Sequence, residues 1–151
     1  IIMDKINIDG IVLTDLKIIN HPKGDIYHGM KDNDIGYEGF GEAYFSTIKK
    51  NEIKGWKKHL EMTMNIIVPV GAITFVLFDD RGNSNTVNNF FSVKLSPTNY
   101  NRLTVPPGIW HAFKGHNHDL NLILDISDIK HQQEEIVRVN IDDIPFEWES
   151  L

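Results

Sequence analysis

Hydrophobic and polar residues alternate with a period of two along most of this chain, a pattern typical of β-strands that turn one face toward a core. The alternating segments are rich in β-branched and aromatic residues, which favours strands. No helical pattern of ten or more residues interrupts them. Seven segments are predicted to be strands: residues 40–48, 62–70, 72–78, 89–95, 101–105, 120–126 and 135–141.

Residues that favour turns separate these segments. They occur as Val70-Gly71, as "DDRGN" at 79–83, as "SPTN" at 96–99 and as "PPG" at 106–108. Strands spaced roughly 8 to 12 residues apart by such turns indicate an all-β sandwich or barrel. Since the chain has no linker, repeat or low-complexity tract, the sequence predicts one all-β domain over residues 1–151.

The composition indicates the class of protein and the cellular compartment that the sequence fits. Of the 151 residues, 41% are hydrophobic and 24% are charged, which suits a chain that buries its own core. The absence of cysteine excludes disulfides, thiolate metal sites and cysteine nucleophiles, and it fits a reducing cytoplasm. The N-terminus lacks the pattern of a signal peptide, and no apolar stretch approaches the roughly 18 residues of a membrane span. We therefore expect a cytoplasmic chain without membrane contact.

The net charge of −6 argues against nucleic-acid binding, because neutralising a phosphate backbone needs a basic surface. A small anion such as a nucleotide diphosphate needs only two or three local cations. The densest group of cations is "KGWKK", residues 54–58.

The segment "KGWKKH" places charged side chains on both faces of a predicted strand. Strict alternation gives Lys54, Trp56 and Lys58 one face, and Lys57 with His59 the other. A face that carries Lys57 and His59 lines a polar cavity or meets solvent. The alternative interpretation is a solvated edge strand.

A second segment, "VPPGIWHAF" at 105–113, places a histidine among apolar neighbours. Alternation groups His111 with Ile109 and Phe113, opposite Trp110. His111 is then either a buried histidine that makes one hydrogen bond or a group that faces a ligand. A bulge between Lys54 and His59 would exchange the faces of that strand.

These segments resemble a known enzyme family. "LSPTNYNRLTVPPGIWHAF" is similar to the "IPPGFAHGF" region of the dTDP-4-dehydrorhamnose 3,5-epimerases, and "KGWKKH…VPVGAITFVLFDDR" resembles their "RGLHYQ…VRGEVFDVAVDLR". "PKGDIYHG" and "EAYFSTIKKNEIKGW" add weaker similarity in the same order, so that the resemblance spans residues 24–128. It implies a cupin double-stranded jelly roll for the single domain.

The chain departs from this family at its catalytic positions. The resemblance places Lys57 at the family's catalytic histidine, Met64 at its lysine and Leu124 at its tyrosine. Related cupins carry two histidines one residue apart after a tryptophan, and His59 corresponds to the second of them. A degenerate cupin that binds a nucleotide sugar or other small ligand without turnover is therefore the alternative function.

Three residues are the candidates for catalysis. Epimerisation beside a ketone needs a base, a group that stabilises the enolate oxygen and an acid that returns the proton. His59 is the first candidate base, since its ordinary pKa allows it to cycle near neutral pH. Lys57 is expected to hold the enolate oxygen or to replace the base. Tyr44 is a candidate phenolic acid, with core packing as its alternative.

Five further residues are candidates for substrate binding. The resemblance places Lys54 and His28 at positions that contact the diphosphate, and His111 at a pocket histidine. Trp56 and Trp110 offer flat faces for stacking on a base or a sugar, and their alternative role is to fill a core or an interface.

Metal binding is tested by spacing. The metal pattern of cupins, counted back from Gly71, requires ligands at Lys58, Leu60 and Met64, none of which can serve. Only His111 fits, and one ligand is too few for a metal site. We expect neither a metal nor another cofactor.

The combined prediction is a cytoplasmic, metal-independent isomerase that resembles the sugar-nucleotide 3,5-epimerases. It would act on a 4-keto-deoxy sugar nucleotide by abstracting a proton next to the ketone, in the biosynthesis of surface polysaccharides or antibiotic sugars. The resemblance also implies a homodimer in which residues 10–19 cross to the partner's sheet, which would cover an exposed strand edge. Lys54, Lys57, His59 and His111 are predicted to share one pocket.

Overall fold

The computed structural model describes residues 5–151 as two antiparallel sheets packed face to face. Its strands are β1 (Val12–Asp15), β2 (Ile18–Ile19), β3 (Ile26–Tyr27), β4 (Glu42–Thr47), β5 (Ile53–His59), β6 (Met64–Val70), β7 (Ile73–Asp79), β8 (Phe90–Leu95), β9 (Asn101–Val105), β10 (Ile109–Gly115), β11 (Leu122–Ser127) and β12 (Ile136–Arg138).

The strands alternate between the sheets in the manner of a jelly roll. The first sheet has the order β1-β9-β6-β11-β4 and the second has the order β12-β5-β10-β7-β8, while β2 and β3 form a separate hairpin. Three 3₁₀ turns are the only helical structure in the described residues. The all-β prediction is confirmed. No helix in residues 5–151 is both long and apolar enough to cross a bilayer.

The predicted strands agree with the structure where a buried run ends in a clear turn, as it does for Asn101–Val105. The prediction for 135–141 is too long. Only Ile136–Arg138 is a strand there, because Asn140 and Asp143 form a capping box that starts a 3₁₀ turn at Ile141. The pattern did not predict β1, β2 and β3, which have two to four residues and no fully buried position.

Two apolar clusters hold the sheets in place. The larger lies between them and includes Phe75, Leu77 and Leu103, each at most 1% exposed. The second lies on the outer face of the second sheet, where Trp56 and Trp110 pack under a C-terminal segment that contributes Trp148. The second sheet is therefore covered on both faces by its own chain.

A β-bulge in β5 determines which of its side chains face the cavity. Lys57 pairs with His111 and Lys54 pairs with Phe113, so Gly55 and Trp56 together oppose the one residue between those partners. Gly55 is required at this point, because a Cβ atom there would overlap the side chain of the facing strand. Strict alternation had placed Lys54 with Trp56. That prediction is wrong, since the bulge moves Lys54 to the face of Lys57.

The N-terminal part of the chain packs on its own fold. Residues Val12–Asp15, which were expected to cross to a second chain, pair with Asn101–Val105 of the same chain, and this corrects the expectation for β1. The segment that follows the β2–β3 hairpin is held by Arg102, which is fully buried. The Arg102 guanidinium donates to the carbonyls of Gly29 (2.7 Å) and Ile35 (3.1 Å) and contacts the carboxylate of Asp34 (3.3 Å).

Candidate active site

A cavity of about 350 Å³ opens between the two sheets. One wall comes from β5, β10 and β12 of the second sheet, and the opposite wall comes from β4, β6 and β11 of the first. Its apolar lining includes Ile66 and Ile123. The titratable side chains that line it are Tyr44, Lys54, Lys57, His111, Asp125 and Arg138.

The wall from the second sheet carries a row of basic residues. Lys57 stands opposite His111 on β10 and opposite Arg138 on β12, so the three residues are cross-strand neighbours. Burial lowers the pKa of the Lys57 amine, and the nearby charge of Arg138 lowers it further, against the opposing charges of Asp125 and Glu135. Lys57 is therefore shifted toward the neutral form that can accept a proton.

His59 lies behind this row and stacks on the ring of His111. Their rings are 5.8 Å apart and nearly parallel, and both side chains are buried. Burial holds the pKa of His111 well below its usual value, and the neighbouring His59 and Lys57 act in the same direction. Burial also lowers the pKa of His59, although its partner Glu135 opposes this. Both shifts favour the neutral imidazole.

Glu135 anchors His59 from the C-terminal part of the chain. The Nδ1 atom of His59 is hydrogen-bonded to Oε2 of Glu135, and Oε1 accepts the backbone N–H groups of Met62 (2.9 Å) and Glu61 (3.2 Å). Although burial alone would raise it, these hydrogen bonds lower the pKa of Glu135. With Glu135 ionised, the Nδ1–H of His59 is the donor. His59 is 3% exposed and is not among the residues that line the cavity.

The wall from the first sheet carries a phenol–carboxyl pair. Tyr44 and Asp125 are register partners on β4 and β11, and the Tyr44 hydroxyl donates to Oδ2 of Asp125 at 2.9 Å. The other carboxyl oxygen, Oδ1, is buried and has no hydrogen-bond partner among residues 5–151. The Ser127 hydroxyl is buried without a partner as well, and it acts on the same carboxyl group.

Burial dominates the protonation of this pair. It raises the pKa of Asp125 to about 6, although the Tyr44 hydrogen bond and the charge of Lys57 oppose it. Burial and the carboxylate of Asp125 together raise the pKa of Tyr44 above its usual range. Asp125 can therefore change its protonation state near neutral pH, whereas Tyr44 stays protonated.

Two cations border the cavity where it meets solvent. Lys54 and Arg138 are both exposed residues that line it. The Lys54 amine donates to the carbonyl of Thr47 at 3.0 Å, and the Arg138 guanidinium makes a 3.4 Å contact to Gln133. Both contacts are exposed, so these cations can turn toward an anionic ligand.

The structure brings together five of the eight predicted site residues. Tyr44, Lys54, Lys57 and His111 line the cavity, and His59 stacks on His111. Lys54, Lys57, His59 and His111 were predicted to share one pocket. The cavity is lined by Lys54, Lys57 and His111, whereas His59 lies behind its wall.

The other three predicted site residues have different surroundings. His28 is exposed in a separate groove with Lys17 and Lys31. Trp110 donates its indole N–H to Asp80 at 2.8 Å on the outer face of the second sheet, and Trp56, which borders the cavity, packs its ring 5.8 Å from Trp148. Both tryptophans therefore fill the outer cluster, which was the alternative role considered for them.

Sequence reasoning missed Asp125, Glu135 and Arg138. Asp125 had a usable signal, since a carboxylate in the apolar strand 120–126 cannot face a dry core. Alternation along Leu122–Ser127 turns Asp125 inward and Leu124 outward, so the residue placed at the family's tyrosine points away from the cavity. Glu135 and Arg138 reach the site only through the pairing of β12 with β5, which no local pattern encodes.

The described residues contain no group of three or more histidine, aspartate or glutamate side chains arranged to hold a metal ion.

Comparison with known proteins places this geometry in a family context. Residues 5–151 match the family model described as dTDP-4-dehydrorhamnose 3,5-epimerase. The probable low-salt glycan biosynthesis epimerase Agl13 of Haloferax volcanii is 25% identical over 121 residues, which span 79% of this chain and 78% of that protein.

Solved structures share the fold over most of the chain. The dTDP sugar isomerase from Desulfovibrio desulfuricans G20 is 34% identical, with a TM-score of 0.92 and coverage of 100% of this chain and 96% of the other. The Legionella pneumophila dTDP-6-deoxy-D-glucose-3,5-epimerase, solved with dTDP-4-keto-L-rhamnose, is 20% identical with a TM-score of 0.81, covering 93% and 78% of the two chains. These matches confirm the resemblance inferred from the motifs and the cupin-like jelly roll.

Proposed function

The chain belongs to the dTDP-4-dehydrorhamnose 3,5-epimerase family, and from this premise we propose that Lys57 removes a proton next to the ketone of a bound 4-keto-deoxy sugar nucleotide. The family and its neighbours are sugar-nucleotide epimerases, so the reaction class is isomerisation. The proposal concerns the residues that carry the proton and hold the ligand in this chain, where the family's catalytic histidine position is occupied by lysine.

The position of Lys57 carries the proposal. Its side chain lines the cavity between two basic neighbours, and burial lowers its pKa, which favours the neutral amine. A neutral amine in a partly desolvated pocket is a competent general base. His59, the first candidate from the sequence, donates its Nδ1–H to Glu135 and stacks on His111. It does not line the cavity, so Lys57 is the better candidate for the base.

The remaining wall residues suit the other parts of such a substrate. A ketone acidifies the adjacent C–H bonds, and the enolate oxygen formed on deprotonation needs a hydrogen-bond donor. The neutral imidazole of His111 beside Lys57 can donate to it. Lys54 and Arg138, near solvent, would hold a diphosphate.

Solvent isotope exchange tests this function. The intact protein is incubated in D₂O with dTDP-4-keto-6-deoxyglucose, and NMR follows deuterium at the carbons beside the ketone. We expect enzyme-dependent exchange, and we expect Lys57→Met to reduce it by about 10²–10⁴-fold, the usual contribution of a general base.

Lys58→Met is the matched control, because the neighbouring lysine lies on the outer face beside Trp110. Exchange should stay at the intact level in this variant. A protein that binds the sugar nucleotide in calorimetry but exchanges no deuterium would overturn the epimerase proposal and favour the non-catalytic binding alternative.

A second copy of this chain is proposed as the partner of the first sheet's outer face. This face exposes Phe40 (64%) and Phe45 (66%) beside the groove formed by Ala43, Leu124 and Ile126. The outer face of the second sheet is covered by the chain itself, whereas these aromatic side chains remain exposed in the single chain. An apolar face of this kind favours association, and the family resemblance favours a homodimer.

Light scattering tests the homodimer. The intact protein at micromolar concentration should have the mass of two chains, and Phe45→Lys should shift it toward one. Val87→Lys, which changes an exposed apolar residue outside this face, should remain dimeric. A single-chain mass for the intact protein would contradict the proposal.

We also place the enzyme in the cytoplasm. The absence of cysteine supports this location, since the chain needs no oxidising compartment to fold.

A further inference from the structure

We propose that Asp125 is the second proton carrier of this site, and that Tyr44 positions it on the wall opposite Lys57. The inference rests on the proposed epimerase function and names the acid that completes it. An epimerase must return the proton to the face of the carbon opposite the one from which it was removed, so it needs a carrier on each side of the ligand.

The two walls of the cavity provide these sides. Lys57 belongs to the second sheet and Asp125 to the first, and both line the space between the sheets. A sugar ring bound between the sheets would have the amine at one face and the carboxyl at the other. Leu124, the position that the resemblance assigns to the family's tyrosine, lies on the groove outside the first sheet, so it cannot supply this acid.

The hydrogen bonding of Asp125 selects the oxygen that carries the proton. Tyr44 donates to Oδ2, which fixes the rotation of the carboxyl group. Oδ1 is buried without a partner in the described residues. A protonated Asp125 would therefore bear its hydrogen on Oδ1. The Ser127 hydroxyl, which also lacks a partner in the described residues, acts on the same carboxyl group.

The protonation equilibrium supports this role. Burial raises the pKa of Asp125 to about 6, so a useful fraction of the carboxyl group is protonated near neutral pH and can regain a proton after each turnover. Tyr44 is less suited to deliver the proton itself. Its hydroxyl hydrogen is engaged with Asp125, and its pKa is raised further from neutrality.

Inversion removes a proton from one face of a carbon and returns a proton to the other face. The neutral Lys57 amine takes the C–H proton, and the C–H electron pair moves into a carbon–carbon double bond as the ketone π pair moves to oxygen. The enolate then collapses, and the same carbon takes the carboxyl proton of Asp125 from the opposite face. Lys57 ends as ammonium and Asp125 as carboxylate, and exchange of one proton each with water restores both.

The test separates exchange from inversion. In D₂O with dTDP-4-keto-6-deoxyglucose, Asp125→Asn should retain exchange within about tenfold through Lys57, while inversion falls by about 10²–10⁴-fold. With the inverted sugar, dTDP-4-keto-L-rhamnose, the dependence should reverse. Asp125→Asn should lose exchange, and Lys57→Met should keep it. A defect in folding would lower all of these rates together.

Tyr44→Phe gives an independent readout, because the Tyr44 hydrogen bond lowers the pKa of Asp125. Its removal should move the descending limb of the inversion rate to higher pH. Asp119→Asn and Tyr37→Phe make the same chemical changes outside the cavity and should leave exchange, inversion and the pH profile at intact levels.

The outcomes distinguish a failure of the role proposed for Asp125 from a failure of the proposed epimerase function. If the intact protein exchanges no deuterium with either sugar, the proposed function fails. If the intact protein inverts the sugar, while Asp125→Asn lowers exchange and inversion equally from both sugars or leaves both unchanged, the function stands and the role of Asp125 is overturned.

Discussion

The two faces of β5 have opposite environments although their residues are adjacent in sequence. On the outer face, Trp56 is 1% exposed among apolar side chains, and Lys58 lies over the ring of Trp110. On the inner face, Lys57 lines a polar cavity and His59 is hydrogen-bonded to a buried carboxylate.

Within this seven-residue strand, the side chains that stabilise the fold lie on one face and those that suit catalysis lie on the other. The outer face contributes apolar burial, whereas the inner face buries groups whose pKa values are shifted away from their charged forms. Mutations on the outer face should therefore change mainly the free energy of unfolding, and those on the inner face should change mainly exchange or ligand binding. Four measurements test this division.

The largest expected effect is on the outer face. Trp56→Ala removes a fully buried indole and its hydrogen bond to the carbonyl of Ile141, so we expect the free energy of unfolding to fall by about 3–5 kcal/mol. Urea unfolding measures this. Exchange per folded molecule should change little. A loss below about 1 kcal/mol would contradict the packing of Trp56 in an apolar core, since truncating a large aromatic side chain there costs more.

The second effect tests whether inward-facing polar groups cost stability. The folded-state pKa of Asp125 is raised from 3.8 to about 6, so its contribution to stability declines as the pH rises through that window. Asp125→Asn removes the ionisation. The variant should gain roughly 3 kcal/mol relative to the intact protein between pH 4 and pH 8, at about 1.4 kcal/mol per pKa unit. A difference that does not vary with pH would contradict the burial of this carboxyl.

The third measurement concerns Lys54, which the bulge moves to the inner face. Lys54→Ala should weaken binding of dTDP by about 1.5–3 kcal/mol, the scale of a hydrogen bond to a charged group, while exchange in the saturated complex changes little. Isothermal calorimetry measures the binding. Glu52→Ala, an exposed neighbour outside the cavity, is the control. Unchanged dTDP affinity would contradict the proposal that Lys54 holds the diphosphate.

The smallest expected effect comes from comparing the two adjacent lysines, Lys57 and Lys58. Lys58 lies 3.3 Å from Asp80 and 4.6 Å from the centroid of Trp110, contacts worth about 1 kcal/mol together. Lys58→Met should therefore lower the free energy of unfolding by no more than that. Lys57→Met should cause no loss, because it removes a buried amine whose pKa is lowered. A larger loss for Lys57→Met than for Lys58→Met would reverse the assignment of the two faces.

Local pattern predicted the sheet and much of the cavity, because alternation is a property of neighbouring residues. It gave Asn101–Val105 its bounds and placed Lys57 and His59 on one face, opposite Trp56. It misplaced Lys54, since the bulge depends on Ala112 of another strand. Glu135 and Arg138 could not be found, because their role exists only after distant strands pair.

Asp125 was missed although its signal was local. Regular alternation along Leu122–Ser127 turns Asp125 inward, whereas the resemblance directed attention to its neighbour Leu124, which faces outward. Adjacent residues of a strand lie on opposite faces, so a motif match at one of them carries no information about the other.

The pairing of β12 with β5 also sets when the site can form during folding. His59 and Glu135 are 76 residues apart along the chain, and the same strand pair brings Arg138 beside Lys57. Closing so long a loop costs entropy before its contacts form, so such pairs tend to form late. A nascent chain that has emerged only through β11 would have both sheets started but only part of the basic row, so the epimerase becomes competent only after residues 133–138 are synthesised.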